Sequence, residues 1–162
     1  KKNNINFLPV IFISKNIEEY WWTFNNLKDY LTASEEYYFF KEPIAPYKEI
    51  STGKIKGKVN ITYITNKSCE DCFNVTQLKD VFSGIGIYIF SEKYVDVNNV
   101  EGRNLLEIYN ITAIPTAVMS SEINDYDSLK EMLEQVGTFE NDNTYVFRKL
   151  DVLKVKYQKI GV

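Results

Sequence analysis

Two cysteines are the residues of this chain best suited to chemistry, and they stand three positions apart within residues 68–72, Ser-Cys-Glu-Asp-Cys. Residues 58–64 before them alternate in the manner of a strand, and apolar residues within 73–82 recur at helical spacing. We therefore expect the pair on the first turn of a helix, where free backbone amides and the helix dipole favour a thiolate at Cys69. That thiolate could attack a disulfide, and Cys72 could resolve the mixed disulfide that forms.

Two other uses of the cysteine pair compete with redox chemistry. A structural zinc site takes about four ligands, usually cysteine or histidine. The chain has 2 cysteines and no histidine, so such a site would need two chains or carboxylates, and we expect no metal and no cofactor. A permanent structural disulfide is the stronger alternative, although so short a loop removes little entropy from the unfolded chain. The residues alone leave both a redox-active centre and a structural disulfide open.

Glu70 and Asp71 lie between the two cysteines and are expected to modulate them. Two carboxylates beside Cys69 oppose its ionisation and should raise the pKa of its thiol. The same carboxylates at the start of a helix would complement the helix dipole, and Ser68 with Asp71 could form a pair like a capping box. We therefore expect the two carboxylates either to disfavour the Cys69 thiolate or to stabilise the start of the helix, or to do both.

Composition limits the classes of partner. The chain has 162 residues, enough for one domain or one domain plus a fragment, and a formal net charge of −3. It lacks the basic field that nucleic-acid binding requires. No apolar run approaches the length of a membrane span, so we expect neither nucleic acid nor a membrane span.

The elements expected around the cysteines form a recognisable order. After the strand at 58–64 and the cysteine helix, a second strand is expected from residue 87 towards 97 and a short helix at 102–109. A third strand follows at 114–119, entered through a proline. A helix from about 126 to 136 and a hairpin turning at 141–143 complete the pattern.

This order, with its Cys-x-x-Cys and its Ile114-Pro115-Thr116, resembles the thioredoxin family over roughly residues 54–150. The resemblance implies an α/β, thioredoxin-like fold with a central mixed sheet flanked by helices. It also implies that Pro115 is a cis-proline packed beside the cysteines. The residue before it, Ile114, would offer backbone groups that pair with the substrate as an added strand, and Thr116 would complete this substrate-binding segment.

The resemblance further assigns Cys69 as the nucleophile and Cys72 as the resolving thiol, with no metal ligand. The chain departs from thioredoxins proper where they carry Trp before the first cysteine and Gly-Pro between the two. It also has Tyr63 where they bury an acidic residue that accepts the proton of the resolving thiol. A tyrosine cannot accept a proton in that way near neutral pH.

The first part of the chain matches the segment around Pro115. With Pro9 placed on Pro115, six of 17 positions from Asn4 to Tyr20 are identical without a gap, and residues 47–50 echo residues 157–160. A chance match between two strand-helix-strand segments is the alternative. We interpret the match as a tandem repeat, and extend the expectation of a cis bond to Pro9.

The repeat leads to a domain organisation. Residues 1–50 are expected to be the C-terminal half of a preceding thioredoxin-like unit, residues 51–57 a linker, and residues 58–162 the thioredoxin-like domain. A half unit leaves apolar strands uncovered, so we expect its partner to be an upstream thioredoxin-like half unit or a second copy of the chain.

The sequence therefore favours a thiol–disulfide oxidoreductase that acts on proteins or peptides carrying disulfides or thiols. The alternative is a non-catalytic thioredoxin-fold module that binds peptides or proteins and keeps its cysteines as a structural or switch disulfide. A tandem of such units is similar to the protein disulfide isomerases, and this likeness favours an extracytoplasmic setting.

Overall fold

The computed structural model describes residues 5–160 of the chain. The chain divides into two compact units, Lys1–Lys56 (unit 1) and Gly57–Val162 (unit 2). Asn4, the first residue of the internal match, lies outside the described residues, as do the ends of the expected segments 1–50 and 58–162. The prediction of an α/β chain with a central mixed sheet and helices is confirmed.

Unit 1 contains six short strands and one α-helix among its described residues. In chain order they are β1 (Phe7–Leu8), β2 (Phe12–Ser14), α1 (Trp21–Leu27), β3 (Leu31–Ala33), β4 (Tyr37–Phe40), β5 (Tyr47–Glu49) and β6 (Ile55–Lys56). The strands form two antiparallel sheets, one in the order β1-β5-β6 and the other in the order β2-β4-β3. The segment expected to be a linker, 51–57, holds the turn after β5 and the strand β6.

Unit 2 contains seven strands and three α-helices among its described residues. They are β7 (Val59–Thr65), α2 (Gln77–Gly84), β8 (Ile89–Asp96), α3 (Val100–Ile108), β9 (Ala113–Ile114), β10 (Thr116–Met119), α4 (Lys130–Val136), β11 (Gly137–Phe139), β12 (Tyr145–Phe147) and β13 (Gln158–Lys159). Five strands form a mixed sheet in the order β11-β12-β10-β7-β8, in which only β7 and β8 run parallel. The remaining two, β9 and β13, pair antiparallel with each other.

The central sheet of unit 2 is covered on both faces. On one face Ile64, Val118 and Val146 are buried, and Leu105 and Leu106 of α3 pack against that cluster. Side chains alternate between faces along a strand, so the neighbouring positions on these strands face the other way. There α2 packs, with Phe82 edge-on to Phe147 at 5.8 Å between ring centroids. This two-sided burial agrees with β10, all four residues of which are buried.

The two units share the same strand registers around their prolines. With Pro9 placed on Pro115, each of three pairs in unit 1 corresponds to a pair in unit 2. Phe12–Phe39 corresponds to Val118–Val146, Ile13–Tyr38 to Met119–Tyr145, and Leu8–Lys48 to Ile114–Gln158. Both the Leu8–Pro9 and the Ile114–Pro115 peptide bonds are cis, as expected.

Candidate functional site

Cys69 and Cys72 form a disulfide, and both residues are half-buried. They lie in a turn between β7 and α2, so the prediction that they occupy the first turn of a helix is wrong, because α2 begins only at Gln77. The N–H of Cys69 donates to the carbonyl of Asn66 at 3.1 Å, and the N–H of Cys72 donates to the carbonyl of Cys69 at 3.4 Å. These are isolated turn bonds between residues three apart.

The residues between the cysteine pair and α2 account for the delayed helix. The side chain of Asn74 accepts hydrogen bonds from the N–H and the hydroxyl of Thr76, at 3.1 and 2.8 Å. An asparagine side chain that accepts a nearby backbone N–H in this way competes with helix formation. The helix dipole is therefore not available to favour a thiolate at Cys69.

Glu70 and Asp71 are exposed on the cysteine turn, and their predicted role at a helix start is wrong for the same reason. The carboxylate of Asp71 lies 3.3 Å from Nζ of Lys156, and the N–H of Ser68 donates to the side chain of Asn66 at 2.9 Å. The two side chains of the ion pair are 83% and 76% exposed, so the pair contributes little to stability. The charges of Glu70 and Asp71 remain close in sequence to Cys69, where they can still oppose a thiolate.

Asp96, at the end of β8, holds the cysteine turn against the sheet. Its buried carboxylate accepts the N–H of Lys67 at 2.8 Å and the N–H of Asn98 at 2.9 Å. These donors, the Lys67 amide foremost, hold the pKa of Asp96 below its usual value because they stabilise the charged form. The turn is thus fixed at the carboxyl ends of the parallel strands β7 and β8. Sequence reasoning missed Asp96, although an acidic residue closing a strand was a usable signal.

The predicted substrate-binding residues Ile114, Pro115 and Thr116 are all buried. Ile114 packs in the cluster with Ile64, and the hydroxyl of Thr116 donates to the carbonyl of Phe147. Their side chains therefore belong to the core of unit 2. Any contact with a substrate would have to use the backbone at the edge of β9.

That edge is paired with the end of the described chain, which we call the C-terminal strap, residues 156–160. Within it, Gln158 pairs with Ile114 and Lys159 with Ala113, and the N–H of Ile160 donates to the carbonyl of Thr112 at 2.8 Å. Sequence analysis did not predict a strand here. The echo of residues 47–50 in residues 157–160 was the signal, because residues 47–49 form β5, which pairs with β1 in the same register.

The C-terminal strap also contacts the cysteine turn. The carbonyl of Lys156 accepts the N–H of Phe73 at 3.0 Å, and the side chain of Gln158 accepts a hydrogen bond from the side chain of Asn66 at 2.8 Å. The carbonyl of that same Asn66 accepts the N–H of Cys69. The structure therefore links the cysteine pair and Ile114 through the strap, which contacts both.

Tyr63 lies fully buried in β7 and stacks on Tyr94, with ring centroids 4.9 Å apart. Burial raises the pKa of Tyr63, and the nearby carboxylate of Glu92 raises it further. The phenol therefore stays protonated at neutral pH. It cannot take a proton from Cys72 in the manner of the acidic residue that thioredoxins place there.

Residues 5–160 contain neither a cluster of metal ligands nor a membrane-spanning helix. Nowhere in this range do three side chains of the metal-binding types lie close enough together to hold an ion. In the same part of the chain, no helix combines the length and the apolar character needed to cross a membrane.

Comparisons with protein-family models, with curated proteins and with solved structures found no match to this chain. The structure itself shows a mixed α/β fold with a disulfide-bonded Cys-x-x-Cys pair, an arrangement compatible with redox chemistry or with a structural disulfide.

Proposed function

We propose that this chain is a thioredoxin-like thiol–disulfide oxidoreductase that acts on protein disulfides through Cys69 and Cys72. One observation carries the proposal: a half-buried disulfide closes a turn at the carboxyl ends of the parallel strands β7 and β8. Ligands of open α/β sheets bind outside the carboxyl ends of the strands. The disulfide therefore lies at the end of the sheet where such folds bind their ligands.

The order of elements supports the thioredoxin-like assignment. Along unit 2 the chain forms a strand, the cysteine pair, a helix, a strand, a helix and the Ile-Pro-Thr strand, the order on which the resemblance rests. The shared registers, seen within residues 5–50, support the related proposal that residues 1–50 are half of a second such unit.

The proposed reaction uses the reduced form of the pair. The thiolate of Cys69 attacks one sulfur of a substrate disulfide, and the other substrate sulfur leaves as a thiolate. Cys72 then attacks the sulfur of Cys69, which releases the second substrate thiol and leaves the chain oxidised. The two electrons come from the cysteine pair, and an external thiol must reduce it again. Because Glu70 and Asp71 disfavour the thiolate, we propose a reductant or a weak isomerase.

Insulin reduction by dithiothreitol tests this function. The unchanged chain should accelerate precipitation of the insulin B chain, and Cys69→Ser should abolish the acceleration, since it removes the nucleophile. Cys72→Ser should accumulate mixed disulfides through Cys69, which gel electrophoresis without reductant detects. Ser68→Ala is the matched control, because it changes the same turn but keeps both sulfurs, and it should retain the activity.

A second function is favoured by one specific contact, the pairing of the Ala113–Ile114 edge with an extended segment of chain. Under this alternative the chain binds peptides along β9, and the disulfide is a staple or a switch. No acceleration of insulin reduction over dithiothreitol alone, or equal mixed-disulfide trapping by both serine variants, would contradict the enzymatic proposal and leave the binding module.

A further inference from the structure

The edge of β9 beside the cysteine turn has a partner strand that belongs to the chain itself. We infer that the C-terminal strap is a displaceable occupant of this edge, which closes in cis the site that the proposed function gives to an extended substrate segment. The inference rests on the proposed function in that the peptide would be the substrate segment next to the disulfide. Its evidence is the set of contacts that the strap makes.

The strap uses the backbone groups that any added strand would need. The N–H of Ile160 donates to the carbonyl of Thr112, and Gln158 lies opposite Ile114. Residues two apart in an antiparallel ladder repeat the same bonding pattern, so the backbone of Gln158 faces the N–H and carbonyl of Ile114. A peptide that binds by strand addition and the strap therefore exclude each other.

The strap also defines the chemistry of a competing peptide. Ile160 is half-buried against the cluster of Ile64 and Ile114, whereas Lys156 approaches Asp71 on the cysteine turn. A ligand with the same pattern is an extended segment with an apolar side chain at the Ile160 position and a basic side chain nearer the turn. Such a segment would run past Cys69 and Cys72.

The strap belongs to a smaller ladder than its counterpart in unit 1. There β5 pairs with β1 in the same register, but β5 is the middle strand of three, whereas β13 has β9 as its single partner in a two-stranded sheet. Gln158 and Lys159 are exposed, and Lys154 before the strap turns the chain with a positive φ of 54°. Short ladders with few buried contacts open locally at low free-energy cost.

The test opens the strap in the full chain with Ile160→Asp, which places a carboxylate against the apolar cluster. Ile50→Asp is the matched control, because Ile50 donates to Asn6 in unit 1 as Ile160 does to Thr112. Hydrogen exchange should accelerate at least about tenfold at the amide of Ile114 in Ile160→Asp, with β7 unchanged, because an opened strap no longer protects that amide. A synthetic peptide of residues 154–160, followed by fluorescence anisotropy, should bind this variant at least about tenfold more tightly than the unchanged chain.

Ile50→Asp should leave both quantities unchanged. If Ile160→Asp does not fold, Gln158→Pro, which removes the backbone donor facing Ile114, replaces it with the same expectations. Unchanged exchange at Ile114, or no gain in peptide affinity, overturns the inference. Both measurements are made with the disulfide closed and no thiol present. If only insulin reduction fails, the proposed enzymatic function is contradicted and the strap inference stands. If insulin reduction succeeds but exchange at Ile114 or peptide affinity does not change, only the strap inference is contradicted.

Discussion

At the scale of single residues, Asp96 does more to position the cysteine turn than the two carboxylates within it. Glu70 and Asp71 are exposed, whereas the carboxylate of Asp96 is buried and accepts backbone N–H groups from both Lys67 and Asn98. A buried carboxylate is tolerated when such donors satisfy it, and its loss leaves them unsatisfied. The turn therefore depends on a residue far from the cysteines in sequence.

Asp96→Asn should destabilise the folded chain by about 1–3 kcal/mol near neutral pH, because the uncharged amide accepts these hydrogen bonds less strongly. The pKa of Asp96 is lowered on folding, so its stabilising effect is full above the unfolded value of about 4 and is lost as the pH falls through the lower folded value. Urea unfolding at about pH 7 and about pH 3 should show a difference from the unchanged chain that shrinks in acid.

The control for this prediction is Asp71→Asn, which changes an exposed carboxylate of the same turn and should alter the free energy of unfolding by less than about 0.5 kcal/mol. If Asp96→Asn and Asp71→Asn behave alike at neutral pH, Asp96 does not anchor the turn.

Sequence patterns predicted the candidate site residues but not the residues that hold the cysteine turn in place. The cis bond before Pro115 followed from the resemblance to the thioredoxin family and the one before Pro9 from the internal match, and both are present; the cis bond between Ala45 and Pro46 was not predicted. Asp96 and Asn66 were missed because each acts through backbone groups that only the folded chain brings within reach. The one signal at Asp96, an acidic residue that closes a strand, does not indicate which backbone groups its carboxylate will accept.

At the scale of elements, apolar spacing predicted most strands and helices but misplaced the starts of α2 and α4, the latter beginning at Lys130 and not near residue 126. β7, α3 and the hairpin turning at 141–143 lie where they were expected. The spacing from Phe73 onward reports only which side chains are buried, and Val75 is buried in the turn without belonging to a helix. β13 was not predicted, because a strand of two residues is too short to show an alternation of apolar and polar side chains. In unit 1 the 3-10 helix Lys15–Glu19 and α1 are separated at Tyr20, whose ψ of 69° is not helical.

Helix α3 is set against the end of β8 by Gly102. A Cβ at this position would meet the backbone carbonyl of Asp96 and Cα of Val97. Gly102→Ala should therefore push α3 away from the residue that anchors the cysteine turn, at a cost of about 1–3 kcal/mol in the free energy of unfolding. Urea denaturation followed by circular dichroism measures that cost.

Gly84→Ala is the matched control for this prediction. Gly84 ends α2, and a Cβ added there meets nothing within 4 Å, so the substitution should be neutral or stabilising by up to about 1 kcal/mol. Equal effects of the two alanines would mean that α3 can shift without cost and that its close approach to β8 is not required.

At the scale of the whole molecule, two tyrosines show that the two units share a backbone conformation but differ in side-chain burial. Tyr20 and Tyr126 align in the internal match and have similar backbone angles, φ −96° and ψ 69° against φ −109° and ψ 57°. Tyr20 is 69% exposed, whereas Tyr126 is 7% exposed. The Tyr126 hydroxyl donates to the carbonyl of Gly57 at 2.7 Å and accepts the N–H of Tyr88 at 2.8 Å.

The difference in burial has a definite origin under the half-unit proposal. Gly57 and Tyr88 precede β7 and β8, the two strands that unit 2 places before its proline-centred half. The described part of unit 1 contains no counterpart of these two strands before its own proline. A partner half unit that covered unit 1 would offer Tyr20 the backbone groups that Gly57 and Tyr88 offer Tyr126.

The matched pair Tyr126→Phe and Tyr20→Phe tests this reasoning. Tyr126→Phe removes a hydroxyl that satisfies two backbone groups and should destabilise unit 2 by about 1–3 kcal/mol. Tyr20→Phe changes an exposed side chain and should alter stability by less than about 0.5 kcal/mol. Hydrogen exchange, read separately in β10 and in β2, assigns each effect to its unit.

If Tyr20→Phe costs as much as Tyr126→Phe, Tyr20 is already covered in solution. Repeating that measurement at a lower protein concentration then distinguishes a second copy of the chain, whose cover is lost on dilution, from cover within one chain.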